Sequence, residues 1–559
     1  MSSASAKADL VLIADRVHTM GADTEAEFVA VSGDRVVGTG PRAAIERFAG
    51  PGTKILDAGA RTVIPGFVDV HAHGEVAART LHTTIDVRVP RCKTVADVLD
   101  VFSEGLGEAD RGWLVGQGNL FFDQKLKDGR LPTRDELDGV STDVALAIRA
   151  GGHITVLNSR ALELASIDRD FVPPENSVTG KPIVERTASG DPSGVVKEMD
   201  NLLPFPEMDD AALRDAIRVG LRDVFTRYGV TSVGEISETV AGLRHMDDLH
   251  RGGELALRVF AYLWVPGTVS LDEACSWRDT LGLSAGDWLV TAQGVKLFAD
   301  GGYSAASAAV KSDYVQRPGW RGAVALQPQE VQQALERTRE AGLQLAIHAN
   351  GDRTQEEVCA AIMAAGGAPD GRLRTRIEHA GNFLPEPDVT TEAWRQAGII
   401  PVPQPVFLYN FGDYFPTYLG PYGAQGRFPF RTLLDQGWPL SGSSDVWVGA
   451  EDRQTNPFFS IWCCLKRETF VGDILDAGEK VSLHEALRMH TIDAAGVMGR
   501  QDELGSLEPG KLADIAVLDR DPATCADDDL LDIKVDAVLM GGDLRYERPG
   551  APGLQVSTA

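Results

Sequence analysis

His71 and His73 stand two residues apart at the end of the apolar run Val63-Ile-Pro-Gly-Phe-Val-Asp-Val. At the two-residue period of a strand both imidazoles point to one side, where a single metal ion could take both. Such a pair proves little alone, but the run puts it at the carboxyl end of a strand, where barrel enzymes build their active sites. His348, in Leu345-Ala-Ile-His, and His379, in Arg376-Ile-Glu-His, end later strand-like runs in the same way. Packing is a poor explanation for that repeated position, and metal ligation is the economical one. Asp445 closes Leu440-Ser-Gly-Ser-Ser-Asp. A carboxylate there can both ligate a metal and take the proton of a water whose pKa the metal lowers toward about 7, which is general-base hydrolysis.

Lys296 lies in the middle of Gly294-Val-Lys-Leu-Phe-Ala, an expensive place for an unpaired ammonium. Carboxylation by CO2 would make it an anionic carbamate able to bridge two divalent cations. Pairing with a nearby acid such as Asp300 is the alternative. Imidazole with carboxylate suits zinc and also admits iron, manganese or nickel, at one or two ions per chain. Trp113, Phe122, His153, Tyr303 and Trp447 fall in insertions or loops that follow strands, where pockets form, and are expected to bind substrate. His82, His484 and His490 lie outside the pattern.

Eight apolar runs must position these residues, beginning at Gly66, Thr231, Leu257, Gly294, Leu343, Arg374, Ile399 and Leu440. Helix-like stretches such as 210–228, 329–341 and 354–364 alternate with several of them. Repeated βα units closing into a distorted (β/α)8 TIM barrel over residues 65–500 are the natural reading, with a doubly wound sheet as the competitor. About 150 residues separate the first two runs, so an inserted subdomain near 80–205 is expected after the first strand. Residues 1–64 and 501–559 show short alternating runs with turn residues between them, and the two ends are expected to pair into a small composite β-sandwich.

The 559 residues suffice for one large catalytic unit with satellites. Acids outnumber bases by 81 to 54, for a formal charge of −27, a surface that repels nucleic acid. No stretch approaches the roughly 18 apolar residues of a membrane span, and the first residues lack the apolar run of a signal peptide, so a cytoplasmic protein is expected. The six scattered cysteines read as reduced core thiols. A homodimer is the default assembly.

Pro65-Gly-Phe-Val-Asp-Val-His-Ala-His, followed in order by His348, His379 and Asp445, resembles the metal-dependent amidohydrolase superfamily. The segments 294–301 and 345–353, Gln404-Pro405 and Gly505-Ser-Leu-Glu-Pro-Gly-Lys-Leu-Ala-Asp514 are similar to its YtcJ-like branch, to which N-substituted formamide deformylases belong. The resemblance implies a distorted TIM barrel with a composite sandwich. It also implies a first metal on His71, His73 and Asp445, a second on His348 and His379, and a carboxylated Lys296 between them. Asp445 would accept and return the proton. The expected reaction is hydrolysis of a C–N amide-type bond in a small molecule, such as an N-substituted amide with an apolar or aromatic part. A deaminase or a carbamate or ester hydrolase could use the same site, and a non-catalytic scaffold relative is the rival of another class.

Overall fold

The computed structural model describes residues 7–22, 26–175, 177–283, 290–451 and 453–559. Its centre is a seven-stranded parallel sheet that runs in chain order from Phe67–Ala72 through Val230–Ser237, Arg258–Trp264, Val290–Phe298, Gln344–His348 and Arg376–Glu378 to Ile400–Val402. These strands are buried on both faces because helices cover the outside while side chains fill the inside. Val230–Ser237 and Arg258–Trp264 are buried at every residue. The covering helices start where the sequence supplies caps. Asp209 caps Asp210–Val224, and Gln327 with Pro328 opens Pro328–Ala341, which Gly342 ends at φ 67°.

The run expected as an eighth strand, 440–445, forms no regular strand. It crosses between the two edge strands as an irregular extended segment. Asp445 N donates to His71 O at 2.8 Å, and His73 N donates to Val446 O at 2.9 Å. On the other side Ser443 Oγ donates to Pro403 O at 3.0 Å. Its Ser-Gly-Ser-Ser composition is poor in the branched residues that favour regular pairing. The result is a TIM-barrel-like α/β fold in which the last element is held by specific hydrogen bonds.

Between Phe67–Ala72 and Asp210–Val224 the chain builds a separate six-stranded mixed sheet from Ile85–Asp86, Trp113–Gly118, Ala145–Ala150, Ile154–Leu157, Ile183–Arg186 and Pro192–Lys197. Strand alternation sorts its side chains into two cores. Leu114 faces Val98, Phe102 and Phe122, whereas Trp113 and Val115 face Ala147, Leu162 and Val196. Trp113 and Phe122 were expected at the substrate pocket, and the structure corrects both. Trp113 packs edge-on against Phe205 at 5.2 Å, and Phe122 is filled in behind Gly118. Burying a large ring between sheet and helix is what places them there.

Strands from both ends of the chain pair in one nine-stranded mixed sheet. The junction is antiparallel, with Ile515 opposite Pro65 and Leu518 opposite Thr62. One buried ion pair clasps this sheet to the barrel. Arg258, on the third barrel strand, donates to both oxygens of Asp514 at 2.5 and 2.8 Å, and Asp514 also accepts from Gly541 N at 2.9 Å. That gives the Lys-Leu-Ala-Asp514 motif a structural duty. All six cysteines are free, with Cys275 and Cys525 partly exposed and the rest buried. Among the described residues no helix is long and apolar enough to cross a membrane.

Removing one partner of a buried pair strands the other charge. Asp514→Ala is therefore expected to lower the free energy of unfolding by about 3–5 kcal/mol in a urea titration, while Arg258→Met combined with Asp514→Leu recovers most of the loss.

Candidate active site

Each histidine at the carboxyl end of the barrel has one ring nitrogen engaged by a neighbour, which fixes the direction of the other. His71 Nδ1 donates to Glu378 Oε2 at 2.5 Å, and Arg376 pins Glu378 through contacts of 2.8 and 2.9 Å. Although burial opposes it, the Arg376 guanidinium and the hydrogen bonds from His71 and Arg376 hold Glu378 well below the usual carboxylate range. His73 Nδ1 donates to Glu238 Oε1 at 2.9 Å. His379 Nδ1 donates to Gln404 Oε1 at 2.7 Å, and the Gln404 amide is oriented by its own donations to Val402 O and Ser443 Oγ. At His348 the engaged nitrogen is Nε2, which lies 3.2 Å from Asn350 Nδ2 and 3.5 Å from Asp300 Oδ1. A partner on the far nitrogen is how proteins orient metal-binding imidazoles.

The freed nitrogens of His71 and His73 face Asp445, and His379 meets it through Nδ1, 3.9 Å from Oδ2. His71 Nε2 is 3.3 Å and His73 Nε2 3.6 Å from Asp445 Oδ1. His71, His379 and Asp445 form the tightest set, with a ligand atom from each within 4.8 Å of the others. That set crosses the division expected from the resemblance, where His379 belonged with His348. Burial drives three of the imidazoles toward their neutral forms. His73 and His348 fall well below the ordinary value, and His379 falls to about 3. Asp445 stays well below the carboxylate range because its contacts with His71, His379 and His73 outweigh the cost of its burial. Imidazole nitrogens gathered at an ionised carboxylate are a donor set that suits a divalent cation.

Lys296 Nζ is fully buried, 3.4 Å from His71 Nε2 and 4.4 Å from the centre of the Phe298 ring. It does not pair with Asp300, whose carboxylate instead accepts from the amides of Ala309, Asn350 and Gly351 and from Thr354 Oγ1. Burial brings Lys296 down to about 8, against the pull of Glu378 and Asp445. Asp300 is an organiser of the loop that follows His348.

A cavity of about 520 Å³ opens beside this cluster. His348, His379 and Asp445 form one part of its wall, and Phe121, Phe407, Phe411 and Trp447 form another. His153, Tyr303, Ser304 and Asn350 supply a polar edge. Three of the five residues expected to bind substrate thus line the cavity: His153, Tyr303 and Trp447. Phe121 occupies the place expected for its neighbour Phe122. Tyr409, another loop aromatic, packs among Phe459, Trp462 and Phe470 instead. Trp447 stacks on His73 at 5.0 Å, so the aromatic wall reaches the candidate ligands directly.

Phe121, Glu198, His379 and Asp445 all hold positive φ, at 55°, 52°, 73° and 45°. Backbone of this kind persists in non-glycine residues only where surrounding contacts impose it, and here it gathers around one cavity. Sequence reasoning missed the residues that orient the histidines: Glu378, Glu238, Gln404 and Glu198. Arg376 and Glu378 did leave a signal, since two charges alternating on a short buried strand need each other.

The family model for the amidohydrolase family matches residues 54–546. The chain belongs to that family. It is a hydrolase acting on carbon–nitrogen bonds other than peptide bonds, with a small molecule as substrate. It is 31% identical to the N-substituted formamide deformylase of Arthrobacter pascens, over 97% of this chain and 99% of the relative. It is 24% identical to the putative amidohydrolase YtcJ of Bacillus subtilis, over 95% and 98% of the two chains. Among solved structures, an uncharacterized metal-dependent hydrolase from Pyrococcus horikoshii superposes with a TM-score of 0.69 at 22% identity, covering 93% of this chain and 99% of that one.

Two outcomes test the site. Glu238→Ala is expected to weaken binding of a divalent cation by about 10- to 100-fold in a chelator competition, with Glu238→Gln, which keeps an acceptor for His73, closer to wild type. Beneath the site, burial lowers His490 from its ordinary 6.5 to about 4, against a hydrogen bond with Ala486 O. A depressed histidine stabilises the fold fully above about pH 6.5 and loses that contribution, about 3 kcal/mol, as pH falls through 4. His490→Gln should flatten that part of the stability curve measured by denaturant titration.

Proposed function

We propose that this amidohydrolase cleaves the C–N bond of a small N-substituted amide, with a formamide as the simplest acyl group and an apolar or aromatic group on nitrogen. The observation that carries the reading is the meeting of oriented imidazoles from His71, His73 and His379 at Asp445, beside a cavity with an aromatic wall. The name of the Arthrobacter relative supports the formamide part. His71, His73, His379 and Asp445 would hold a divalent cation, zinc by donor chemistry, and His348 with a carboxylated Lys296 would complete a place for a second. Carboxylation joins the free amine of Lys296 to the carbon of CO2, with one amine proton leaving to solvent. It would replace a buried ammonium that meets no acid partner among the described residues by an anion among cations.

A cation bound there would lower the pKa of a water and polarise the substrate carbonyl. Asp445 is placed to take the proton of that water as its oxygen attacks the carbonyl carbon, and to return it to the nitrogen as the C–N bond breaks. The Asp445 N to His71 O hydrogen bond, with Gln454 Nε2 donating to Asp445 O at 3.2 Å, keeps the carboxylate at that position. Phe121, Phe407, Phe411 and Trp447 would hold the apolar part and exclude water from it.

The test is a substrate panel of N-alkyl and N-arylalkyl formamides, longer amides, matched esters and cyclic amines, run with zinc-loaded and chelator-stripped protein. The expected result is zinc-dependent release of amine and carboxylic acid, with kcat for Asp445→Asn reduced by about 10²- to 10⁴-fold. Ammonia release from a cyclic amine, hydrolysis of esters alone, or full activity without a stoichiometric divalent metal would overturn the reading.

A further inference from the structure

His153 is carried into the cavity by a short turn of the inserted sheet. Gly151 and Gly152, at φ 65° and 73°, connect Ala145–Ala150 to Ile154–Leu157, which begins immediately after His153. The fit around its ring tolerates no extra atoms. A Cβ on Gly152 would fall 2.6 Å from Trp447, and a Cβ on Gly302 would fall 2.8 Å from the His153 ring. The ring lies between His348 at 6.4 Å and Trp447 at 5.8 Å, at the border of the candidate ligands and the aromatic wall.

Glu198 aims this ring. His153 Nδ1 donates to Glu198 Oε2 at 2.8 Å. The other oxygen, Oε1, accepts from Gly302 N at 3.0 Å and from Ser307 Oγ, while Glu198 N donates to His153 O at 2.9 Å. With both oxygens used and no exposure, Glu198 cannot turn away. Its partners other than His153 are a backbone amide and a hydroxyl, so the ring is the one titratable side chain that meets it. With Nδ1 spent on Glu198 the ring has one polar atom left, Nε2, and among the described residues no protein group meets it.

We propose that His153, aimed by Glu198, donates its Nε2–H to the scissile carbonyl oxygen as negative charge develops there, a catalytic contact contributed by the insertion. The inference rests on the reading of the site as an amide hydrolase. A donor fixed in advance at the point where charge appears lowers the barrier without tightening the ground state. The insertion is then more than a cover, since it completes the polar edge opposite the ligand cluster.

The experiment compares zinc-loaded wild type with His153→Phe, His153→Gln and Glu198→Gln, each checked for metal stoichiometry and thermal midpoint. Two readouts are used: kcat and KM on the best amide of the panel, and calorimetric affinity for benzylphosphonate, whose tetrahedral oxyanions mimic the developing charge. His153→Phe is expected to lose about 10²- to 10³-fold in kcat with KM within about threefold. It should also bind benzylphosphonate at least tenfold more weakly. His153→Gln, which retains a donor, should recover at least tenfold of kcat, and Glu198→Gln should fall between. If wild type cleaves no amide, the reaction assignment fails, and the phosphonate affinities still decide the role of His153. His153→Phe within threefold of wild type in phosphonate affinity, or in kcat where an amide is cleaved, overturns the proposal.

Discussion

Placing charge inside a barrel is the constraint on which this structure depends. Arg376, Glu378, Lys296, Asp445 and the histidines sit where an unpaired charge would cost several kcal/mol. Each must find a partner or give up its proton. Arg376 and Glu378 satisfy each other and leave one oxygen for His71. Burial pushes His73, His348 and His379 toward their neutral forms, and Asp445 stays ionised among them. Lys296 is the member that, among the described residues, meets no acid within hydrogen-bond reach.

The same constraint explains why the barrel does not close on a regular strand. A standard pairing would satisfy the backbone of 440–446 but would not turn Asp445 onto the His71 and His379 nitrogens. The segment instead uses single hydrogen bonds to His71, His73 and Pro403 and accepts a positive φ at Asp445. Beyond it, Glu451 is clasped by the buried Lys125 and by Asn119 Nδ2 at 2.9 Å, both from the insertion. The insertion therefore stabilises the loop that carries Asp445 as well as supplying His153 to the cavity.

The cavity divides along the same line. Its ligand cluster comes from the ends of buried barrel strands and from the irregular segment that carries Asp445. Its aromatic and polar walls come from the helix Val406–Phe411, from loops and from the insertion, where side chains can vary without disturbing the barrel. A TIM-barrel-like scaffold thus keeps one reaction chemistry while the surrounding loops set what enters.

The sequence by itself determined the elements and the ligand candidates. His71, His73, His348, His379, Asp445 and Lys296 were legible because strand period and apolar flanks fix which residues reach the carboxyl edge of a barrel. Seven barrel strands were legible for the same reason. Only the tertiary structure decided that His379 groups with His71 and Asp445, that Asp300 serves His348 instead of Lys296, and that Trp113 and Phe122 are core. It also decided that Glu198, 45 residues from His153 in sequence, is the group that aims it. Those are contacts between segments distant in the chain, and local periodicity carries no information about which buried carboxylate will meet which ring.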